Sequence, residues 1–339
     1  MNSFLKTHCL SSALCISALF APYVHGQALK IDLTQSSVSG LSSGGYMATQ
    51  FHLSHSEIIV GAGIVSAGAY YCAKNSIMTA LNACVNKVSD TPNDPFSYFN
   101  QAQKEGLVAP ASSFTDDKVW LLHGSLDKRI VRPVADALHT QYAKWINQEN
   151  LNYETDKDFA HVFPTMQNGE DCKVSRPPFI GKCNFDAAGE ILNFIYPNLK
   201  PALSSEDTYK QGKLVKFKQA ELSNIKNTGM NEFGFAFIPN TCISGENCSL
   251  HVSFHGCNQS IDNVGNSFAK LAGFNEWAVN NNMIVIYPQT KKSNMIPMNP
   301  QACWDWWGYT DANYATKQGK QIQAVFEMMQ NAAVQFAKK

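Results

Sequence analysis

The chain has no surplus of charge of either sign. Its 339 residues include 27 lysines and arginines and 27 aspartates and glutamates, and charged side chains make up only 16% of the sequence. A neutral chain gives nucleic acid or an anionic membrane no electrostatic attraction. We therefore expect neither of them to be a partner.

Long apolar segments are missing beyond the amino terminus. Residues 1–26 contain one early cation, Lys6, an apolar run over residues 9–20 and small residues at the end. This pattern is typical of a secretory signal peptide, and the run is too short to span a bilayer. Repeats and low-complexity linkers are missing as well. We expect a signal peptide at 1–26 and one exported domain at 27–339 that does not insert into a membrane.

The C-x-x-C spacing of many zinc sites is also absent, so we expect no metal. Two of the ten cysteines lie in the predicted signal peptide, and an even number in an exported chain favours disulfides. Eight cysteines allow 105 pairings. The spacing suggests four of the possible pairs: Cys72 with Cys84, Cys172 with Cys183, Cys242 with Cys248, and Cys257 with Cys303.

One short motif carries chemistry. Residues 40–44 read Gly-Leu-Ser-Ser-Gly, a G-x-S-x-G sequence, between a predicted strand at 30–39 and a predicted helix at 45–53. A strand, a sharp turn and a helix expose the central serine, here Ser42, at the edge of a sheet. A chance match in a chain of this length has a probability of roughly 0.1, so the other members of a site are needed.

Strand and helix signals alternate along the chain. This alternation predicts an α/β fold in which a mostly parallel sheet carries helices on both faces. The strands are predicted at 58–65, 119–123, 213–217, 234–238, 250–254 and 283–287, and the helices at 133–147, 187–195, 268–280 and 317–336.

A serine nucleophile needs a base, and the base needs a group that orients it. His161 follows a predicted strand and precedes Pro164, which suits a histidine that a loop presents at the sheet edge. Asp127 lies in the turn after the strand at 119–123. The order Ser42, Asp127, His161 is that of α/β-hydrolases. Other histidines are expected to be structural, as His123 is, or solvated, as are His52 and His55.

Two further segments suit an ester-binding site. The backbone N–H of Ser43 and the loop at His255-Gly256 are placed to donate to the oxyanion of a tetrahedral intermediate. Trp304, Trp306 and Trp307 lie within four residues. Core packing explains one or two of them, and at least one is expected to line the cleft of a hydrophobic substrate.

These segments together resemble one family. The elbow, residues 160–164, the His-Gly-Cys-Asn-Gln run at 255–259 and the segment 301–307 are similar to those of secreted polyhydroxybutyrate depolymerases and feruloyl or acetylxylan esterases, which are α/β-hydrolases. In most of that group the His-Gly-Cys segment precedes the serine, whereas here it follows the histidine. The chain therefore resembles the circularly permuted, single-domain polyhydroxybutyrate depolymerases.

The resemblance implies roles for named residues. Ser42 is the nucleophile, Asp127 the orienting carboxylate and His161 the general acid and base. The oxyanion donors are the N–H groups of Ser43 and Cys257, and the substrate wall contains Trp307 and Trp304. The implied activity is hydrolysis of a hydrophobic polyester through an acyl-enzyme, by a monomer and without a cofactor. A feruloyl or acetyl esterase and, from another class, a non-catalytic secreted binding module remain as alternatives.

Overall fold

A computed structural model describes residues 28–87 and 95–338 of the chain, so the predicted signal peptide lies outside the described residues. The strands are β1 (Lys30–Ile31), β2 (Ser36–Leu41), β3 (Ile59–Val65), β4 (Lys118–Leu122), β5 (Leu151–Glu154), β6 (Phe163–Thr165), β7 (Glu170–Asp171), β8 (Ile180–Lys182), β9 (Gly212–Lys218), β10 (Phe233–Pro239), β11 (Asn247–Phe254) and β12 (Met283–Tyr287). The α-helices are α1 (Ser43–His55), α2 (Ile77–Ala83), α3 (Pro95–Lys104), α4 (Ala111–Phe114), α5 (Arg132–Tyr142), α6 (Ala187–Ile195), α7 (Ser205–Gln211), α8 (Asn240–Ile243), α9 (Ile261–Val264), α10 (Ser267–Leu271), α11 (Phe274–Ala278) and α12 (Lys320–Phe336).

The main sheet has the strand order β5-β4-β3-β2-β11-β12-β10-β9, with β1 beside β11. Strands β9, β10 and β12 pair antiparallel, and the strands from β12 through β5 pair parallel. If the strands are counted from β9, their spatial order becomes 1-2-4-3-5-6-7-8, which is the order of an α/β-hydrolase sheet. The predicted fold class is therefore confirmed, in the permuted form.

The permutation is consistent with the close approach of the first described residues to the last helix, α12. The N–H of Leu29 donates to the carbonyl of Ala333 in α12 at 2.9 Å. The first two strands, β1 and β2, both pair with β11 in the middle of the sheet rather than at an edge. Closely spaced ends are what make such a rearrangement possible without loss of the core.

The central strand β2 is buried along its whole length. It pairs in parallel with β11 through Val38 and Val252, and with β3 on the other side. Because parallel strands end at the same edge of a sheet, the residues that follow β2, β4 and β11 lie on one side of the molecule. That edge carries the G-x-S-x-G turn, the Asp127 turn and the His255 loop.

Helices cover both faces of the sheet. One apolar cluster includes residues of α1 and α12, among them Phe51 and Met328, and the other includes residues of α6 and α11, among them Ile191 and Phe274. All thirteen residues of α1 are buried, so this helix has no solvated face. Within the part of the chain that the structure describes, no helix is long and apolar enough to cross a membrane.

Several predicted elements need correction. The helix expected at 268–280 is interrupted, because Gly273 takes a left-handed φ of +94° between α10 and α11. The strand expected at 30–39 is divided by a 3-10 helix at Leu33–Gln35. Pro164 was expected in the loop that follows a predicted strand, but it lies within β6, in a small second sheet of order β6-β8-β7.

The structure joins the eight cysteines in the four expected pairs. Cys242–Cys248 lies at the end of the sheet away from the cleft, at the start of β11. Cys257–Cys303 closes a loop with a sequence separation of 46 residues. This last bond ties the loop after β11 to the tryptophan-rich segment.

Candidate active site

Ser42 occupies a sharp turn between β2 and α1. Its backbone has φ 58° and ψ −120°, a conformation that residues with side chains rarely adopt. A Cβ on Gly40 would lie 2.2 Å from the carbonyl oxygen of Gly44, and a Cβ on Gly44 would lie 2.1 Å from that of Phe254. Only glycine fits at both positions, so the two glycines of the motif are explained by close backbone approach.

Asp127 and His161 form a buried pair. The Nδ1 of His161 lies 2.8 Å from Oδ2 of Asp127, and the other carboxylate oxygen accepts the N–H groups of Arg129 at 2.8 Å and Ile130 at 3.1 Å. Burial raises the pKa of Asp127, but the charge and hydrogen bond of His161 outweigh burial and lower that pKa below its usual value. The carboxylate therefore stays ionised and holds the imidazole by Nδ1, which leaves Nε2 for chemistry.

Ser42 and His161 line the same cleft. They make no hydrogen bond to each other in the described chain. Catalytic contacts are often long before substrate binds, so their common position on the cleft is the relevant observation.

The loop after β11 aims a backbone donor at this cleft. The ring of His255 lies with Nδ1 2.8 Å from the carbonyl oxygen of Gly256 and accepts the N–H of Thr290 at Nε2, at 3.3 Å. Nδ1 is therefore the protonated nitrogen, and burial lowers the pKa of His255 to about 4. In a trans peptide the C=O and N–H point in opposite directions, so a fixed Gly256 carbonyl directs the N–H of Cys257 away from His255.

Neither the N–H of Ser43 nor that of Cys257 has an acceptor among residues 28–87 and 95–338. Ser43 is the first residue of α1, where backbone N–H groups have no partner within the helix. Two donors of this kind beside the same cleft can stabilise an oxyanion.

The cleft has a volume of about 860 Å³ and mostly apolar walls. Trp306 stacks on Tyr46 with ring centroids 4.6 Å apart, and Trp307 packs edge-on against Trp306. The mouth of the cleft carries apolar side chains that are exposed to solvent. Their exposed fractions are 44% for Ile77, 55% for Leu81, 60% for Met298 and 94% for Ile296.

A buried carboxylate shapes the aromatic wall. Asp305 is 1% exposed and accepts the N–H groups of Gly308, Tyr309 and Thr310, at 2.7 to 3.0 Å, together with the hydroxyl of Thr310. These bonds fold residues 306–310 around one side chain. The pKa of Asp305 is raised above its usual value, because the effect of burial exceeds the opposite effect of the hydrogen bonds. No sequence pattern singled out Asp305.

The structure brings Trp307 to the cleft and leaves it partly buried, as expected for a wall residue. Trp304 requires a correction, because its side chain is fully buried and packs on Phe254 and His255 behind the cleft. Trp306 lines the cleft in its place. Three tryptophans in four residues gave no periodicity from which inward and outward positions could be separated.

Comparisons with known proteins agree with the resemblance seen in the sequence. No protein-family model matches the chain. It is 37% identical over 321 residues to the poly(3-hydroxybutyrate) depolymerase of Delftia acidovorans, and the match covers 94% of this chain but only 63% of that relative, less than two thirds of its length. It is 34% identical over 313 residues to the polyhydroxybutyrate depolymerase of Talaromyces funiculosus, covering 88% of this chain and 89% of the relative.

Two solved structures are similar throughout. The polyhydroxybutyrate depolymerase of Penicillium funiculosum superposes with a TM-score of 0.81 at 33% identity, over 90% of this chain and 97% of that one. A serine-to-alanine variant of a polyhydroxybutyrate depolymerase in complex with an R3HB trimer superposes with a TM-score of 0.82 at 32% identity, with the same coverage. On the strength of this identity over most of both chains, the protein belongs to the polyhydroxybutyrate depolymerase family.

Proposed function

We propose that the protein is a serine esterase that hydrolyses polyhydroxybutyrate, or its oligomers, through an acyl-enzyme on Ser42. The observation that carries the proposal is the convergence on one cleft of a serine in a strained turn and a histidine paired with a buried carboxylate. Such a constellation activates a hydroxyl that is otherwise a weak nucleophile.

Each group at the cleft has one task in the proposed reaction. Ser42 Oγ attacks the ester carbonyl while Nε2 of His161 takes its proton, and Asp127 stabilises the imidazolium. The N–H groups of Ser43 and Cys257 bind the oxyanion, each worth about 3–4 kcal/mol of barrier in comparable enzymes. His161 then protonates the departing alkoxide, and water repeats the sequence on the acyl-enzyme. None of these steps needs a cofactor.

The cleft supports a hydrophobic polyester as substrate. Aromatic and aliphatic side chains form its walls, and its mouth exposes apolar groups that a soluble sugar ester does not need. The relatives named above act on, or bind, polymers and oligomers of hydroxybutyrate. A feruloyl or acetyl esterase, the alternative kept from the sequence, is not favoured by any of these observations.

We also propose that the mature protein is secreted and acts as a monomer of one catalytic domain, residues 27–339. Four disulfides in the described chain support an oxidising compartment.

Turnover on three substrate classes tests the proposal. We expect soluble 3-hydroxybutyrate products from amorphous polyhydroxybutyrate and slower or no turnover of methyl ferulate. The p-nitrophenyl butyrate ester serves as a control for a working serine site. Turnover of methyl ferulate with none of the polyester would establish the alternative, and no turnover of any ester would favour a binding module.

A further inference from the structure

Two cations lie in the wall of the otherwise neutral cleft. Lys128 and Arg129 line it, and no aspartate or glutamate among the described residues does. Both side chains are exposed, and neither forms an ion pair within the described chain. In a protein with equal numbers of acidic and basic residues, two exposed cations without an ion pair beside an apolar cleft indicate a site for an anion.

Hydrogen bonds through Ser175 connect Arg129 to the loop that carries His161. The Nε–H of Arg129 donates to Ser175 Oγ at 3.2 Å, and the Ser175 hydroxyl donates to the backbone carbonyl of His161 at 3.1 Å. The guanidinium lies 6.0 Å from the ring centre of Phe179, another residue of the cleft wall. Arg129 Nε is thus engaged with the loop of His161, and no described residue accepts a hydrogen bond from the two terminal nitrogens of the guanidinium, which leaves them available to a ligand.

A linear oligomer of a hydroxy acid carries its negative charge, the terminal carboxylate, at one end only. In every ester bond of such a chain, the acyl part leads to the hydroxyl end and the alcohol part leads to the carboxylate end. The alcohol part is the leaving group, which His161 protonates. A cation held beside the His161 loop is therefore on the side where the terminal carboxylate of a short oligomer lies.

We propose that Lys128 and Arg129 form a subsite for the terminal carboxylate of hydroxy-acid oligomers, so that the enzyme cleaves near the carboxyl end of soluble chains. This inference rests on the proposed esterase function. Guanidinium and ammonium groups bind carboxylates by charge-assisted hydrogen bonds. Because both groups are exposed, the preference is expected to be moderate and to weaken as salt is added.

The test compares a trimer of 3-hydroxybutyrate that has a free carboxylate with the same trimer capped as a neutral carboxamide. For the wild type at low ionic strength, we expect kcat/KM for the free acid to exceed that for the amide by about three- to tenfold. Lys128→Gln and Arg129→Gln should each reduce this ratio by about two- to fivefold, and 0.5 M KCl should reduce it in the wild type.

Lys200→Gln is the matched control, since it removes one exposed lysine that does not line the cleft. It should leave the ratio unchanged. Equal kcat/KM for the two trimers in wild type and variants alike would overturn the subsite while leaving the esterase intact. An equal loss on both trimers in Arg129→Gln would assign Arg129 to the positioning of His161 instead. Failure to cleave either trimer would contradict the proposed function itself.

Discussion

Two of the buried carboxylates, Asp127 and Asp305, differ in their partners. Asp127 has a histidine and two backbone N–H groups as partners, and its pKa is lowered. Asp305 accepts hydrogen bonds from backbone N–H groups and from the hydroxyl of Thr310, and its pKa is raised. The first arrangement suits the carboxylate that we propose orients the base, whereas the second holds a loop of aromatic residues in shape. The partners, more than the burial, separate the two roles.

Asp127→Asn tests the first of these roles. The amide keeps the shape of the side chain but supplies no charge to the imidazolium and favours the wrong tautomer of His161. We expect kcat on p-nitrophenyl butyrate to fall by roughly 10⁴. Asp156→Asn, at a largely exposed carboxylate, serves as the control and should stay near wild type. Activity of Asp127→Asn within tenfold of wild type would mean that another group orients the base.

Trp307→Ala tests whether the aromatic wall contacts the substrate. Loss of an apolar wall should raise KM for oligomers or polymer by about tenfold and change KM for p-nitrophenyl acetate little, since a short ester does not reach it. Trp277→Ala removes a partly buried tryptophan outside the cleft and should not separate the two substrates. Equal losses on both substrates, with a large drop in Tm, would make Trp307 a core residue.

At the scale of elements, the loop after β11 depends on a bond to a distant segment. Cys257 supplies a proposed oxyanion N–H and is joined to Cys303, which immediately precedes the aromatic wall. In the chain-entropy model a loop of this length stabilises by about 4 kcal/mol. The disulfide also limits movement of a donor in the site.

Replacement of both cysteines, Cys257→Ser with Cys303→Ser, should therefore lower kcat as well as Tm. The pair Cys242 and Cys248 offers a control, because its short loop is worth about 2 kcal/mol in the same model and lies outside the cleft. Its removal should lower Tm and leave kcat unchanged. If both double variants lower Tm and neither changes kcat, the Cys257–Cys303 bond has no part in placing the donor.

The elements that could be predicted are those with local signals. The elbow and α1 follow from glycines, a serine and a short apolar run, and β3, β4, β11 and β12 follow from segments rich in apolar residues that are buried on both faces. His52 and His55 were expected in solvent and are buried, because α1 is surrounded on every side. Burial of that kind depends on which helices cover the sheet, and no local pattern reports it.

The candidate site also contains residues that local sequence signals indicate and residues that they do not. Ser42, Asp127 and His161 could be selected because each follows a predicted strand or loop with the right chemistry. Trp304 is buried behind the cleft and Trp306 lines it, and both belong to an irregular segment without a repeating pattern that would separate them. Lys128 and Arg129 could not be selected from the sequence, because only the structure shows that no described aspartate or glutamate lines the cleft beside them.

For the whole molecule, buried histidines link stability to pH. Burial lowers the pKa of His251 to about 3 and, as the largest cause, the pKa values of His55 and His255 to about 4. Below the ordinary value of 6.5 the unfolded chain binds protons at these residues and the folded chain does not. The stability they contribute is complete above pH 6.5 and is lost as the pH falls toward 4.

Calorimetry between pH 7.5 and 4.5 checks this linkage. Three such histidines give a slope approaching about 4 kcal/mol per pH unit near pH 5. The raised pKa values of Asp305 and Glu276 oppose this loss of stability at the acid end of the pH range. There the folded chain binds a proton at these carboxylates more readily than the unfolded chain does. We expect Tm to fall steadily from pH 7 to pH 5. A Tm that is constant or rises over this range would contradict the linkage.

The most direct measurement for the whole account is the site of covalent labelling by a fluorophosphonate, located by mass spectrometry. We expect a single adduct on Ser42, and we expect Ser42→Ala to lose both the label and at least about 10⁴ of the turnover of amorphous polyhydroxybutyrate. Ser125→Ala, at an exposed serine outside the cleft, should keep both. An adduct on another serine, or polyester turnover that survives in a folded Ser42→Ala variant, would contradict the account.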